Sequence, residues 1–123
     1  MLNFLMWQIE PSTQWPKDLK WYEKKRPREI AAVLHNLQRY LDQINVAPNA
    51  RAVQAGFLHN EPGGVVAVDQ KAGGPGLQET RLYTFADSET KTLHLITVGD
   101  KNSQSTDIKF CSGFVKSVKE SQK

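Results

Sequence analysis

An apolar stripe downstream of Pro27 is the feature that most limits how this chain can fold. Proline disfavours helical geometry in the residue before it but fits the first turn of a helix, so Pro27 predicts the end of one helix and the start of another. Beyond it, apolar side chains recur at steps of three and four residues, as expected for one side of a helix. They are Ile30, Val33, Leu34, Leu37, Leu41 and Ile44.

The segment before Pro27 predicts the first arm of a helical hairpin. Ser12 and Thr13 offer a hydroxyl cap, and Pro16 suits a first helical turn because its missing N–H costs nothing there. The helix is expected to run to about Lys25, with one apolar side formed by Trp15, Leu19 and Tyr22.

The connection of this hairpin carries the positive charge of the chain. Residues 16–28 contain six basic and two acidic side chains, so their balance is 6 − 2 = +4, against +3 for all 123 residues. Such a local field attracts phosphate backbones or an acidic protein, although a solvated helix face has the same composition. The candidate RNA-binding residues are Lys24, Lys25, Arg26 and Arg28.

The rest of the chain predicts strands and a final helix. Strands are expected at residues 3–9, 53–58, 65–68, 80–86 and 92–98, with Gly99 ending the last of them. Alternation puts Arg81 and Tyr83 on one face of their strand, and it separates Leu93 from Val98. A helix capped by Asn102 or Ser103 should follow. The order predicts one α+β domain over residues 1–123, with a small, mainly antiparallel sheet packed against an N-terminal helical hairpin and a C-terminal helix.

Composition favours a cytoplasmic protein that needs no cofactor. The single Cys111 cannot form an internal disulfide, and no Cys/His cluster has the spacing of a zinc site, so no metal is expected. The first residues lack the basic start and small-residue cleavage site of a secretory signal. No apolar run approaches the roughly 18 residues of a membrane helix.

The residues that could support chemistry are basic and phenolic. No serine lies in a glycine elbow, no histidine has a triad-like context, and no carboxylate pair is evident. RNA can be cleaved without a metal when an arginine neutralises the phosphate and a lysine or tyrosine with a shifted pKa transfers protons. A strand arginine paired with a nearby carboxylate is the plainer interpretation of Arg81. The candidate catalytic side chains are Arg81, Lys71, Tyr83 and Lys101.

Short motifs between Gly74 and Lys109 resemble a known toxin family. The order of these motifs along the chain is similar to the order in the RelE/ParE superfamily of bacterial toxins. It is most similar to the order in the branch called addiction-module killer proteins. The early Trp7-Gln8-Ile9-Glu10 segment and the hairpin follow the same order. The motifs themselves are Gly74-Pro75-Gly76, Arg81-Leu82-Tyr83, Gly99-Asp100-Lys101-Asn102-Ser103-Gln104 and Asp107-Ile108-Lys109.

The resemblance implies a RelE-like fold and the toxin role of a type II toxin-antitoxin system. It implies metal-independent cleavage of mRNA, usually in the ribosome, and silencing by a cognate antitoxin protein. On this resemblance Arg81 is the phosphate-contacting arginine, and Lys101 matches a motif lysine. Where the family carries Glu-apolar-Arg on the preceding strand, this chain has Ala67-Val68-Asp69, so an acid stands in place of a cation.

Three functions remain open from the sequence. The first is a toxin-like mRNA endonuclease. The second is a non-catalytic RelE-fold module that contacts RNA or an acidic protein through residues 24–28. Asp69 and the scarcity of basic residues near Arg81 favour this second function. The third is a toxin directed at gyrase, as in the ParE branch.

Overall fold

The computed structural model describes residues 6–71 and 74–122 and contains a five-stranded sheet and three helices. The sheet order is β1-β5-β4-β3-β2, and all neighbours are antiparallel except the β1–β5 pair. This arrangement confirms the predicted α+β class. The elements are β1 (Gln8–Pro11), α1 (Trp15–Lys25), α2 (Pro27–Val46), β2 (Leu58–Asn60), β3 (Val65–Asp69), β4 (Thr80–Asp87), β5 (Thr92–Asp100) and α3 (Gln104–Ser121).

The helical hairpin covers one face of the sheet. Its apolar stripe meets the side chains of Val68, Leu82 and Leu93 in the larger of two core clusters. Asn36 of α2 is buried and donates its amide N–H to the carbonyl oxygens of Asp69 and Lys71, at 2.9 and 3.0 Å. These bonds satisfy two main-chain acceptors and fix the end of β3 against the hairpin.

Helix α3 covers the opposite face. Cys111 and Val115 are buried there with Tyr83, Phe85 and Ile96 of the strands. The protein therefore has three layers, with the hairpin and α3 on opposite faces of the sheet. Within the described parts of the chain, no helix is long and apolar enough to cross a membrane.

Two of the predicted strands were misplaced. The opening strand is β1 at Gln8–Pro11, and residues 3–5 of the expected strand 3–9 lie outside the described residues. The strand expected at 53–58 is wrong, because this segment is largely a loop that leads into the three-residue β2. Its alternating Val53, Ala55 and Phe57 pack against the core without pairing as a strand.

Strand β5 differs from expectation at its carboxyl end. Gly99 does not end the strand, which continues to Asp100. The pairing steps from Tyr83↔Thr97 to Thr84↔Leu95 and leaves Ile96 without a partner on β4. Such a bulge reverses the alternation that follows it, so Val98 joins Leu95 on the hairpin face.

Gly99 is needed because α3 begins directly above it. An alanine Cβ at this position would lie 2.6 Å from Ser103 Oγ and 2.7 Å from Asp107 Cγ, and it would overlap Asp107 Oδ2. We expect Gly99→Ala to lower the free energy of unfolding in urea by about 1–3 kcal/mol, because the Ser103–Asp107 hydrogen bond of 2.6 Å must be displaced.

Gly113 of α3 provides the matched control for this prediction. An alanine Cβ there meets no atom within 4 Å, so Gly113→Ala should stabilise the helix by about 1 kcal/mol. The cost of Gly99→Ala should shrink in an Asp107→Ala background, because the overlapping carboxylate is gone. A Gly99→Ala protein as stable as wild type would contradict this account of the β5–α3 junction.

Candidate functional site

The basic cluster lies at the elbow between α1 and α2, which we define as residues 24–28. The elbow packs beside the loop that leads into β4. Arg28 Nη2 donates to the carbonyl oxygen of Pro75 at 3.4 Å, and Glu29 Oε2 accepts the N–H of Gln78 at 3.0 Å. The N–H of Gln78 is the main reason that the pKa of the Glu29 carboxyl lies below its ordinary value. The elbow is thereby fixed next to the start of β4.

Four lysines form one exposed face of α1, which we call the basic face. Helical spacing places them together, whereas Trp15 and Tyr22 point from the other side into the core. Within residues 6–71 and 74–122, the ion pairs are formed by Arg81 and His59, so these lysines have no carboxylate partner. The four members are Lys17, Lys20, Lys24 and Lys25.

Asp18 belongs to the same helix but does not pair with these lysines, whereas Glu23 is exposed on α1 and lowers the net positive charge of its surface. Its Oδ2 accepts the hydroxyl of Thr97 at 2.7 Å and the N–H of Val98 at 3.0 Å. Its Oδ1 accepts the side-chain amide of Gln14 at 2.9 Å. The carboxylate is turned toward β5, so it anchors α1 on the sheet and does not pair with the exposed lysines.

Arg26 differs from the other predicted RNA-binding residues. Its side chain is half-buried, its guanidinium carbon lies 6.0 Å from the centre of the Trp21 ring, and its Nη1 has no hydrogen-bond partner among the described residues. Lys24, Lys25 and Arg28 are exposed. Three of the four predicted residues therefore present their charge to solvent, and Arg26 faces inward.

The strand motifs meet at the same end of the sheet as the elbow. Asp69 and Arg81 are paired between β3 and β4, and Arg81 and Gly99 are paired between β4 and β5. Lys71 is the second residue after β3, Lys101 follows β5 directly, and both are exposed. The structure thus brings the ends that carry Lys71, Arg81 and Lys101 together, although no hydrogen bond joins these three side chains within the described ranges.

Arg81 is held by two carboxylates, which we call the acidic pair. Its Nε and Nη2 lie 3.1 and 3.0 Å from Glu79 Oε1, and its Nη1 lies 3.8 Å from Glu61 Oε2. The side chain is only 18% exposed. In this arrangement the guanidinium already has anionic partners, so a phosphate must compete with their negative charge to bind.

Tyr83 is completely buried beneath α3. Its hydroxyl makes no hydrogen bond within the described part of the chain. Burial, and then the charge of Asp107, raises the pKa of the phenol above its ordinary value. In this conformation the phenol does not reach solvent and does not titrate near neutral pH. A catalytic role for Tyr83 stays a prediction and requires α3 to move.

Removing the Tyr83 hydroxyl tests whether it is truly without a partner. A buried hydroxyl without a hydrogen bond carries an uncompensated cost of desolvation. We expect Tyr83→Phe to raise the free energy of unfolding by about 1 kcal/mol in urea denaturation. A loss of stability of similar size would contradict this interpretation and would show that the hydroxyl is bonded in the folded protein.

His59 is a titratable residue that the sequence interpretation missed. Its Nε2 lies 2.6 Å from Asp69 Oδ2, and the other oxygen of Asp69 accepts the N–H of Lys71 at 2.8 Å. This pairing explains why Asp69, although opposite Arg81 in the sheet, does not pair with its side chain. No local motif indicates His59, because the pair forms across two strands and β2 was expected to end before it.

The other candidate groups have structural roles. The ring of His94 stacks on Phe85 at 6.2 Å and meets Phe114 edge to face at 5.5 Å. Burial raises the pKa of the Cys111 thiol to about 12, as expected for an inert buried cysteine. Among the described residues, no group of three or more His, Cys, Asp or Glu side chains is arranged to hold a metal ion.

Comparison with protein-family models, with curated proteins and with solved structures found no match for this chain. What the protein does must therefore be inferred from its own side chains and their geometry.

Proposed function

We propose that this protein is an RNA-binding domain of the RelE-like kind, which holds a phosphate backbone on the basic face of α1 and the adjoining elbow. The observation that carries the proposal is the row of exposed lysines without carboxylate partners. Lysines that contact phosphates there would release counterions condensed on the RNA, which is the main source of affinity in sequence-independent binding.

The position of the elbow supports the same proposal. Lys71 and Lys101 lie exposed at strand ends on the same end of the sheet, and Arg28 reaches the 74–79 loop beside them. A backbone bound along α1 and the elbow would approach the end of the sheet that carries these lysines. Two of the nearby acidic groups are engaged in hydrogen bonds, since Asp18 bonds β5 and Asp69 bonds His59, while Glu23 stays exposed on α1.

The test is the salt dependence of RNA binding by the intact protein. A fluorescently labelled oligoribonucleotide is titrated at several salt concentrations, and log K is plotted against log salt. Contact with about four phosphates predicts a slope near −3, because each contact to a single strand contributes roughly −0.7. Absence of binding at the lowest salt concentration, with the protein folded, would rule out the proposed function.

A toxin-like mRNA endonuclease is the second candidate. It is favoured by the meeting of the Lys71, Arg81 and Lys101 strand ends beside the elbow, since Arg81 and Lys101 are the two residues that the resemblance to RelE/ParE toxins matches. In this candidate the ribosome presents the mRNA, a cognate antitoxin keeps the protein silent, and Arg81 stabilises charge on the phosphate. The acidic pair of Glu61 and Glu79 must then release Arg81 before cleavage.

A further inference from the structure

Trp21 is exposed although the other two tryptophans are buried. Its relative exposure is 48%, against 8% for Trp7 and 7% for Trp15. The ring is nevertheless oriented by neighbours on its own helix. It meets Tyr22 edge to face with 4.8 Å between ring centres, and the Arg26 guanidinium lies 6.0 Å from its centre. An aromatic plane is thus held at the surface, with about half of the residue open to solvent.

Trp21 also lies in the middle of the basic face. Lys17, Lys24 and Lys25 are each about one helical turn from it, so their side chains are its neighbours on the helix surface. The arrangement combines a flat π-surface with surrounding ammonium groups. Such a combination suits a ligand that is both aromatic and anionic.

We propose that Trp21 stacks on an unpaired base, so that the basic face binds single-stranded RNA in preference to duplex RNA. The proposal rests on the proposed function and specifies the ligand of that same surface. Lysines alone would favour the duplex, whose charge density is higher, because they contact only phosphates. A tryptophan gains a contact only when a base is free of its own stack, which single strands permit and duplexes do not.

The test compares variants at Trp21 with a matched variant on α3. Affinity is measured for a short oligouridylate and for an RNA hairpin of equal charge. Trp21→Ala should weaken oligouridylate binding roughly 5- to 100-fold and leave hairpin binding unchanged. Trp21→Phe should retain most of the affinity because the aromatic plane remains. Phe110→Ala removes a side chain of similar exposure, 46%, from the other face of the sheet and should have no effect.

Tryptophan fluorescence gives an independent readout that does not depend on the alanine variant folding. Oligouridylate should quench the wild-type emission, whereas Trp21→Phe, which keeps only the buried Trp7 and Trp15, should show no quenching. The RNA hairpin should quench the tryptophan emission of neither protein.

The outcomes separate this inference from the proposed function. If wild type binds both RNAs with a steep salt dependence but Trp21→Ala changes neither affinity, stacking is overturned and RNA binding stands. Equal affinity for the hairpin and the oligouridylate, without quenching, also overturns stacking and leaves RNA binding in place. If wild type binds neither RNA and binds an acidic protein through the basic face, both proposals are overturned.

Discussion

A variant with alanine at Lys20, Lys24 and Lys25 is expected to bind single-stranded RNA roughly 10- to 100-fold more weakly than wild type at about 0.1 M salt. The three side chains are exposed and make no ion pair with any described residue, so their removal should affect the ligand and leave the fold intact. Alanine is also the best helix former, and α1 should persist. The slope of log K against log salt should fall by about two units, because three phosphate contacts are lost.

The control variant removes the same charge from α3, with alanine at the exposed Lys109, Lys116 and Lys119. Both variants have a formal net charge of 3 − 3 = 0, so a difference between them cannot come from net charge. Equal losses of affinity in the two variants would show that RNA is attracted by the whole protein and that the basic face has no special role.

Arg81→Ala is expected to lower the rate of mRNA cleavage by roughly 10²- to 10³-fold if the endonuclease candidate is correct, because one donor to the developing phosphate charge is lost. For the acidic pair we expect the opposite effect on the cleavage rate. Glu61→Gln combined with Glu79→Gln should raise the rate, since the guanidinium no longer has two carboxylates as competitors for phosphate. Cuts are mapped by primer extension in a translating extract.

Glu89→Gln is the matched control, because Glu89 is exposed in the turn between β4 and β5, at the opposite end of the sheet from Arg81. It should leave the rate unchanged. If neither wild type nor the double glutamine variant cuts mRNA, while both are folded and bind RNA, the protein is a binding domain without this activity. A double glutamine variant slower than wild type would overturn the view that the acidic pair restrains Arg81.

The helical hairpin was predictable because its signals are local. Pro27 separates the two helices, and the periodic stripe of α2 specifies which side is buried. Strands β3 and β4 were also found, since their apolar runs lie between clear turns. The bulge in β5 was missed because it depends on how the strand pairs with β4, and alternation along one strand carries no information about pairing.

The candidate site was only partly predictable. The basic elbow is continuous in sequence, so its composition was sufficient to find it. The pairing of Arg81 with a nearby carboxylate was predictable, and Glu79 lies two residues before it. Its second partner Glu61 and the partner of Asp69, His59, were not evident, because His59 lies on a short edge strand and Glu61 in the turn after it. The exposure of Trp21 agrees with its position off the apolar side of α1, whereas the inward orientation of Arg26 was not predictable because this residue lies after the last residue of α1, where helical periodicity does not apply.

The most direct measurement is the change in backbone amide NMR shifts as an oligoribonucleotide is added to the intact protein. RNA bound on the basic face and elbow predicts that the largest changes fall at residues 17–28 and in the adjoining 74–79 loop, with little change along α3. Changes confined to α3 or to the β2 edge, or no change under conditions of low salt, would contradict the proposal that this protein holds RNA on the basic face of α1.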